Sequence, residues 1–196
     1  ILILQYIENN IQPTLDMLND IRYSDDFMNL ISSSDISIKK MGINKHIDAK
    51  SFSYVPKDIA EYLQLESTYE KDGKLYSFPS ILVDSIGTKK LIVYASYILK
   101  ALREERVLLV DELDTSWHTF LTRNIFALFN SLANVKAQLI ASCHDLLLLD
   151  DEHMFRRDQI WFTYKDKKGT YFYSLSDFKV DSSEKPGMVM ANYLKG

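Results

Sequence analysis

The chain has 196 residues, 46% of them hydrophobic and 26% charged. That is globular composition, long enough for one domain with a sizeable core. A formal net charge of −4 excludes a broad basic field for nucleic acid while leaving room for a local patch, and no uninterrupted apolar run reaches membrane-spanning length.

Residues 1–30 read mainly as helix, with Ile3, Ile7, Ile11, Leu15 and Leu18 at three- and four-residue steps and Pro13 interrupting or starting a helix. The opening Ile1-Leu2-Ile3-Leu4 lacks the basic leader of a signal peptide. Asp35 to Lys39 alternates like a short strand, residues 44–66 carry little pattern, and Ser67 to Phe78 reads as a hairpin turning at Asp72-Gly73. Residues 86–103 form an amphipathic helix with Leu91, Ala95, Ile98 and Leu102 on one face. Val107–Val110 is a buried strand, Trp117–Leu132 a helix, Ala137–Ala141 a second apolar strand, and Asp145–Leu149 starts a short helix. Gln159–Tyr164 and Thr170–Leu175 pair around Lys168-Gly169. The order strand, helix, strand predicts an α/β fold with a mostly parallel sheet and flanking helices. The single cysteine, Cys143, excludes an internal disulfide and fits a reducing compartment, so a cytoplasmic location is expected.

The strand Val107-Leu108-Leu109-Val110 stops abruptly in Asp111-Glu112. Ligands of open α/β sheets collect at the carboxyl ends of strands. There Asp111 can bind Mg²⁺, directly or through water, and Glu112 can orient or deprotonate an attacking water, the parts that phosphoryl transfer needs. The plain alternative is a strand followed by an acidic turn. His144 follows the next strand, and a parallel pairing brings it to the same sheet edge, within reach of a terminal phosphate or the water. A histidine capping a strand end or helix start is the alternative.

Ser85-Ile86-Gly87-Thr88-Lys89-Lys90 precedes the 86–103 helix. It offers N–H groups, a hydroxyl and two lysines to an anion, or else an ordinary Ser or Thr N-cap with a permissive glycine. Asp114-Thr115-Ser116-Trp117-His118 either starts the next helix, capped by Thr115 or Ser116, or contacts a second subunit near its phosphate site. Arg156-Arg157-Asp158 reads as structural pairing, with contact to a phosphate or a partner as the alternative. The phosphate loop Gly-x-x-x-x-Gly-Lys-Ser/Thr does not occur, nor does a Cys/His metal cluster, a Gly-x-Ser-x-Gly elbow or a Gly-x-Gly-x-x-Gly fingerprint.

As a set, Ser85 to Lys90, Val107 to His118, Ala137 to Asp145 and Arg156 to Phe162 resemble the RecF/OLD/SMC-like group of ABC-class ATPases, especially bacterial ATP-binding proteins linked to phage resistance. The resemblance covers residues 80–180 well and residues 1–79 loosely. It implies an ABC-type P-loop NTPase head, with residues 1–80 as a helical and mixed lid-like region and 81–196 as the ATPase core. Ser85, Gly87 and Thr88 match the signature motif that contacts ATP on the opposite protomer. Asp111 and Glu112 match the Walker B pair, with Asp111 toward the metal and Glu112 catalytic. Asp114, Ser116 and His118 match the D-loop region, and His144 the switch histidine. ATP and Mg²⁺ are the implied ligands, and ATP sandwiched between two heads implies a homodimer, with an effector protein or a nuclease as further partner.

There are departures from the pattern. Ile86 stands where transporter ATPases usually have Gly, and Thr88 where they usually have Gln, which fits the non-transporter branch. Trp117 replaces an aliphatic residue, and Thr119 stands where proline is common. The absent phosphate loop and the start at Ile1 lead to the expectation that the chain is the C-terminal part of a head, weak in ATP binding by itself. A non-catalytic interaction module that keeps the fold is the alternative, and the gene upstream of Ile1 separates the two. A nuclease-coupled head is a third reading, although these residues hold no convincing nuclease metal cluster.

Overall fold

The computed structural model describes residues 2–4, 10–35, 37–47, 51, 54–150 and 154–177. The chain divides into two compact units, Ile1–Trp117 with Leu132–Cys143, and His118–Ser131 with His144–Gly196.

In the first unit, β1 (Leu2–Leu4) is followed by α1 (Gln12–Leu18) and α2 (Ile21–Ser34). Pro13 lies in the first turn of α1, where its missing N–H and fixed φ are no handicap. The Asp20 carboxylate caps α2 by accepting Arg22 N–H at 3.0 Å. Next come β2 (Ile38–Ile43), α3 (Lys57–Tyr62), β3 (Leu65–Lys71), β4 (Lys74–Pro79), α4 (Ser80–Val83), α5 (Ile86–Arg103), β5 (Val107–Val110) and, after the excursion into the second unit, β6 (Gln138–Ala141). β3 and β4 form the expected hairpin. Asp72 and Gly73 take φ of 52° and 72°, the pair of left-handed residues that a tight two-residue turn requires.

Two sheets result. β1, β5 and β6 form a parallel sheet with β5 central, in register Leu2↔Leu108 and Val110↔Ala141. β2, β3 and β4 form an antiparallel sheet. The expectation of a mostly parallel sheet therefore holds for this central sheet alone. The β3–β4 hairpin and the hairpin of the second unit are antiparallel because short turns join their strands, and β2 also pairs antiparallel with β3, although α3 lies between them in the chain.

Residues 2–4 are a correction. They form a strand, not part of a helix. So short an apolar run satisfies either period, and pairing with β5 decides the tie. Ile7 lies outside the described residues. α5 has the expected bounds, but it is buried on more than one face. Every residue from Lys90 to Ser96 is buried, because α1, α2 and β5 all pack against this helix. The Thr14 hydroxyl donates to Ile92 C=O at 3.1 Å, satisfying a polar group in that core.

A buried hydroxyl and carboxylate cluster ties β3 to Asp84, which lies between α4 and the Ser85 cap of α5. Ser67 Oγ donates to Asp84 Oδ2 at 2.8 Å and lies 2.6 Å from Ser80 Oγ. Ser67 has one proton, so Ser80 is the donor to it. Tyr69 donates its phenolic O–H to Asp84 Oδ1. Burial pushes the Tyr69 phenol above its usual range, and the bond to Asp84 adds to this. Burial does the same to Tyr62, helped by the Asp84 charge. The buried Tyr62 hydroxyl has no hydrogen-bond partner among the described residues.

The second unit contains α6 (Thr119–Asn130), a 3₁₀ turn at Leu146–Asp150 where a short helix was expected, and the antiparallel hairpin of β7 (Trp161–Lys165) and β8 (Thr170–Ser174). Arg156 pairs with Asp158 at 2.8 Å, and Arg157 donates to Leu175 C=O at 2.8 Å, so this segment is structural pairing as read. Phe126 and Phe155 meet edge to face at 4.9 Å. Among the described residues no helix is long and apolar enough to cross a membrane.

Two predictions follow from the packing. Leu108, fully buried on the central strand, loses about 2–5 kcal/mol of stability on replacement by Ala, measured by urea unfolding. The second concerns alkaline pH. Tyrosines raised above the unfolded value of about 10 contribute stability that is complete below that pH and is lost as pH rises toward their folded values. Tyr62→Phe, which removes an unpartnered hydroxyl, leaves the pH 7 unfolding midpoint undiminished. It also reduces the loss of stability above about pH 10, read from midpoints across a pH series.

Candidate functional site

The parallel register of β5 and β6 brings Asp111 and Ser142 out at the same sheet edge. Ser142 is bonded there through three of its atoms. Its N–H donates to Val110 C=O at 3.0 Å, and its carbonyl accepts Leu113 N–H at 3.0 Å. Its Oγ accepts Glu112 N–H at 2.7 Å and donates to Asp111 Oδ1 at 2.5 Å. One hydroxyl thus serves both acidic residues with its full donor capacity and one lone pair. Asp111 and Glu112 are exposed. Glu112 has φ 49°, a left-handed backbone unusual for a residue with a Cβ. Its Oε2 accepts the Thr115 hydroxyl at 3.3 Å.

The loop after Glu112 is held to the start of α5 by Lys90. This side chain, 5% exposed, donates from Nζ to Glu112 C=O at 3.0 Å and Thr115 C=O at 2.7 Å, with a longer contact to Leu113 C=O at 3.5 Å. The ammonium lies 4.9 Å from the Trp117 ring centroid and 5.1 Å from that of Tyr94, within cation–π range. Trp117 in turn donates Nε1–H to Gly87 C=O at 3.0 Å and meets Tyr94 edge-on at 5.3 Å. Ser116, with φ 69°, sets its carbonyl against Gly87. A Cβ on that glycine would lie 2.7 Å from the oxygen. Gly87 is therefore required by close backbone approach. Asp114 accepts Trp117 N–H on its carbonyl at 3.2 Å.

Of the expected anion-binding set, Ser85 caps α5. Its Oγ accepts Thr88 N–H at 3.1 Å and lies 2.8 Å from Thr88 Oγ1. Thr88 donates its own proton to Asp35 Oδ2 at 3.2 Å, so Ser85 is the donor to Thr88. The N-cap alternative is thus the observed local role. The lysines correct the expectation of added charge for a ligand. Lys89 donates to Ile81 C=O at 2.6 Å and Lys90 to the loop carbonyls, because α5 turns position 90 inward.

His118 and His144 belong to the second unit. His118, not Thr115 or Ser116, caps α6, with Nδ1 accepting Phe120 N–H at 3.3 Å. His144 is exposed in the irregular stretch before the 3₁₀ turn. Its neighbour Asp145 accepts the Thr119 hydroxyl on Oδ2 and Leu147 N–H on Oδ1 at 2.9 Å. The first unit therefore gathers Asp111, Glu112, Asp114 and Ser116 with Gly87. Ser142 and Trp117 are the residues that sequence reasoning does not pick out as site-builders, and Lys90 supports the loop instead of serving an anion. A serine directly after a strand and a tryptophan in an otherwise aliphatic position were the available signals.

The donor set suits Mg²⁺ bound jointly with phosphate. Asp111 is an exposed carboxylate whose Oδ1 is oriented by Ser142. Among the described residues no group of three or more acidic, His or Cys side chains forms a protein-only cage. Mg²⁺ typically takes one or two carboxylates, several waters and substrate phosphates, so the residues present fit it.

A family model described as "AAA domain, putative AbiEii toxin, Type IV TA system" matches residues 7–150. No curated protein matches the chain.

The Gly87 contact is directly testable. Gly87→Ala forces the Ser116 backbone to move and lowers stability by about 1–3 kcal/mol. Gly42→Ala, where an added Cβ meets nothing within 4 Å, changes it by less than about 0.5 kcal/mol. Chemical unfolding of the two variants side by side reads the difference.

Proposed function

The chain belongs to this AAA-domain family, which carries the P-loop NTPase α/β fold, and on that premise we propose that it is part of an ATP-binding and ATP-hydrolysing head. The observation that carries the reading is the strand β5 ending in Asp111-Glu112, with both residues held by the Ser142 hydroxyl. In this reading Asp111 holds Mg²⁺ together with the nucleotide phosphates. The metal, when bound, supplies charge neutralisation on the phosphate oxygens. Glu112 orients the attacking water and takes its proton. His144 adds a contact to the terminal phosphate or the water.

The finer reading is an ABC-class head of the RecF/OLD/SMC-like type. The order of the motifs supports it: signature-like Ser85, Gly87 and Thr88, then Asp111 and Glu112, then Asp114, Ser116 and His118, then His144. Two heads then sandwich ATP. The signature residues serve the nucleotide of the partner head, and the ATP cycle controls a partner protein or effector. The AbiEii and type IV toxin–antitoxin description of the family favours an abortive-infection or phage-defence setting for that control.

Glu112→Gln in the intact protein removes the proton acceptor and keeps the size of the side chain. It should cut Mg²⁺-dependent ATP turnover about 10²–10⁴-fold while nucleotide binding persists. Wild-type turnover in this variant would sink the assignment of Glu112.

A further inference from the structure

We propose that Ser142 is the positioning residue of the phosphoryl-transfer site, fixing through one hydroxyl both the metal-facing carboxylate of Asp111 and the backbone from which Glu112 acts. The inference rests on the ATPase reading above.

A carboxylate at a strand end can rotate about its terminal torsion, which has broad minima. The Ser142 proton on Asp111 Oδ1, at 2.5 Å, selects one orientation and leaves Oδ2 as the oxygen for a cation. The same oxygen accepts Glu112 N–H at 2.7 Å. That bond holds Glu112 in its left-handed conformation, φ 49°, which the residue would not choose by itself. The hydroxyl is itself placed by the sheet. Ser142 N–H and C=O bond Val110 and Leu113 on either side of the acidic pair, which fixes the backbone that carries the hydroxyl, and the two bonds of the hydroxyl to Asp111 and Glu112 select its rotamer. Groups of this kind, which touch the metal's ligand and not the metal, orient the ligand and tune its affinity. The paired geometry also predicts which property changes. Loss of the hydroxyl frees Asp111 and Glu112 together, so metal dependence and turnover shift while metal-free nucleotide affinity stays.

The test uses the intact protein with Ser142→Ala and Ser142→Thr. Ser142 is exposed, so the extra methyl of threonine has room. In Ser142→Ala, kcat falls and the Mg²⁺ concentration giving half-maximal binding of a fluorescent non-hydrolysable ATP analogue rises, each by about 10- to 100-fold. Analogue binding without Mg²⁺ is unchanged, and Ser142→Thr restores both values. If the alanine variant does not fold, Ser142→Cys replaces it, keeping the size and offering only a weak donor, with the same losses expected. Wild-type Mg²⁺ dependence and kcat in a folded Ser142→Ala protein overturn the inference alone. So does a threonine variant as impaired as alanine, since that marks a packing role. A wild-type protein that neither binds nor hydrolyses ATP overturns the ATPase reading and this inference with it.

Discussion

The ammonium of Lys90 has left water for a site made of backbone carbonyls, and the loop between Glu112 and Trp117 takes its shape from that arrangement. Burial of an unpaired charge is prohibitive. Here Glu112 and Thr115 accept hydrogen bonds from it, and the faces of Tyr94 and Trp117 lie against it. Hydrogen bonds to a charged group contribute about 1.5–3 kcal/mol each. That is comparable with the cost of the two left-handed non-glycine residues in this loop, Glu112 and Ser116, at about 1–3 kcal/mol apiece. The loop keeps a strained path because a buried cation needs its carbonyls.

Within the first unit this arrangement links three parts of the sequence that are far apart. Lys90 and Gly87 lie at the start of α5. Glu112 to Trp117 follow β5, and Ser142 follows β6. Lys90 acts on the loop from the helix side and Ser142 acts on the acidic pair from the sheet side, so the carboxylates stand between two fixed supports. The buried Asp84 cluster extends the same logic to the antiparallel sheet. Ser67 and Tyr69 on β3 hold the residue just before the Ser85 cap.

Much of the fold was legible because single elements carry strong local signals. The 18 residues of α5, the strand Val107–Val110 and the Asp72-Gly73 hairpin all stand where periodicity and turn chemistry put them. Residues 2–4 read as helix in the sequence but form a strand, because so short an apolar run has no period of its own and an edge of β5 claims it. The cap of α6 lies beyond Thr115 and Ser116, at His118, for a similar reason. Ser116 is a good cap by residue type, but it is committed to a left-handed turn against Gly87, and the role falls to His118. Lys89 and Lys90 looked like charge for an anion because a sequence does not record which helical face is covered.

By itself the sequence determined the acidic end of a buried strand, the glycine and hydroxyls at the start of a long helix, and their order along the chain. These are local features set by hydrophobic run length, capping chemistry and turn residues. The tertiary structure alone decided that Ser142 serves Asp111 and Glu112 with one hydroxyl, that Lys90 faces inward to the loop carbonyls, and that Gly87 is small because Ser116 lies against it. Each of these depends on residues tens of positions apart meeting at hydrogen-bond or contact distance. Such meetings follow from strand register and helix packing, and no residue type or spacing encodes them.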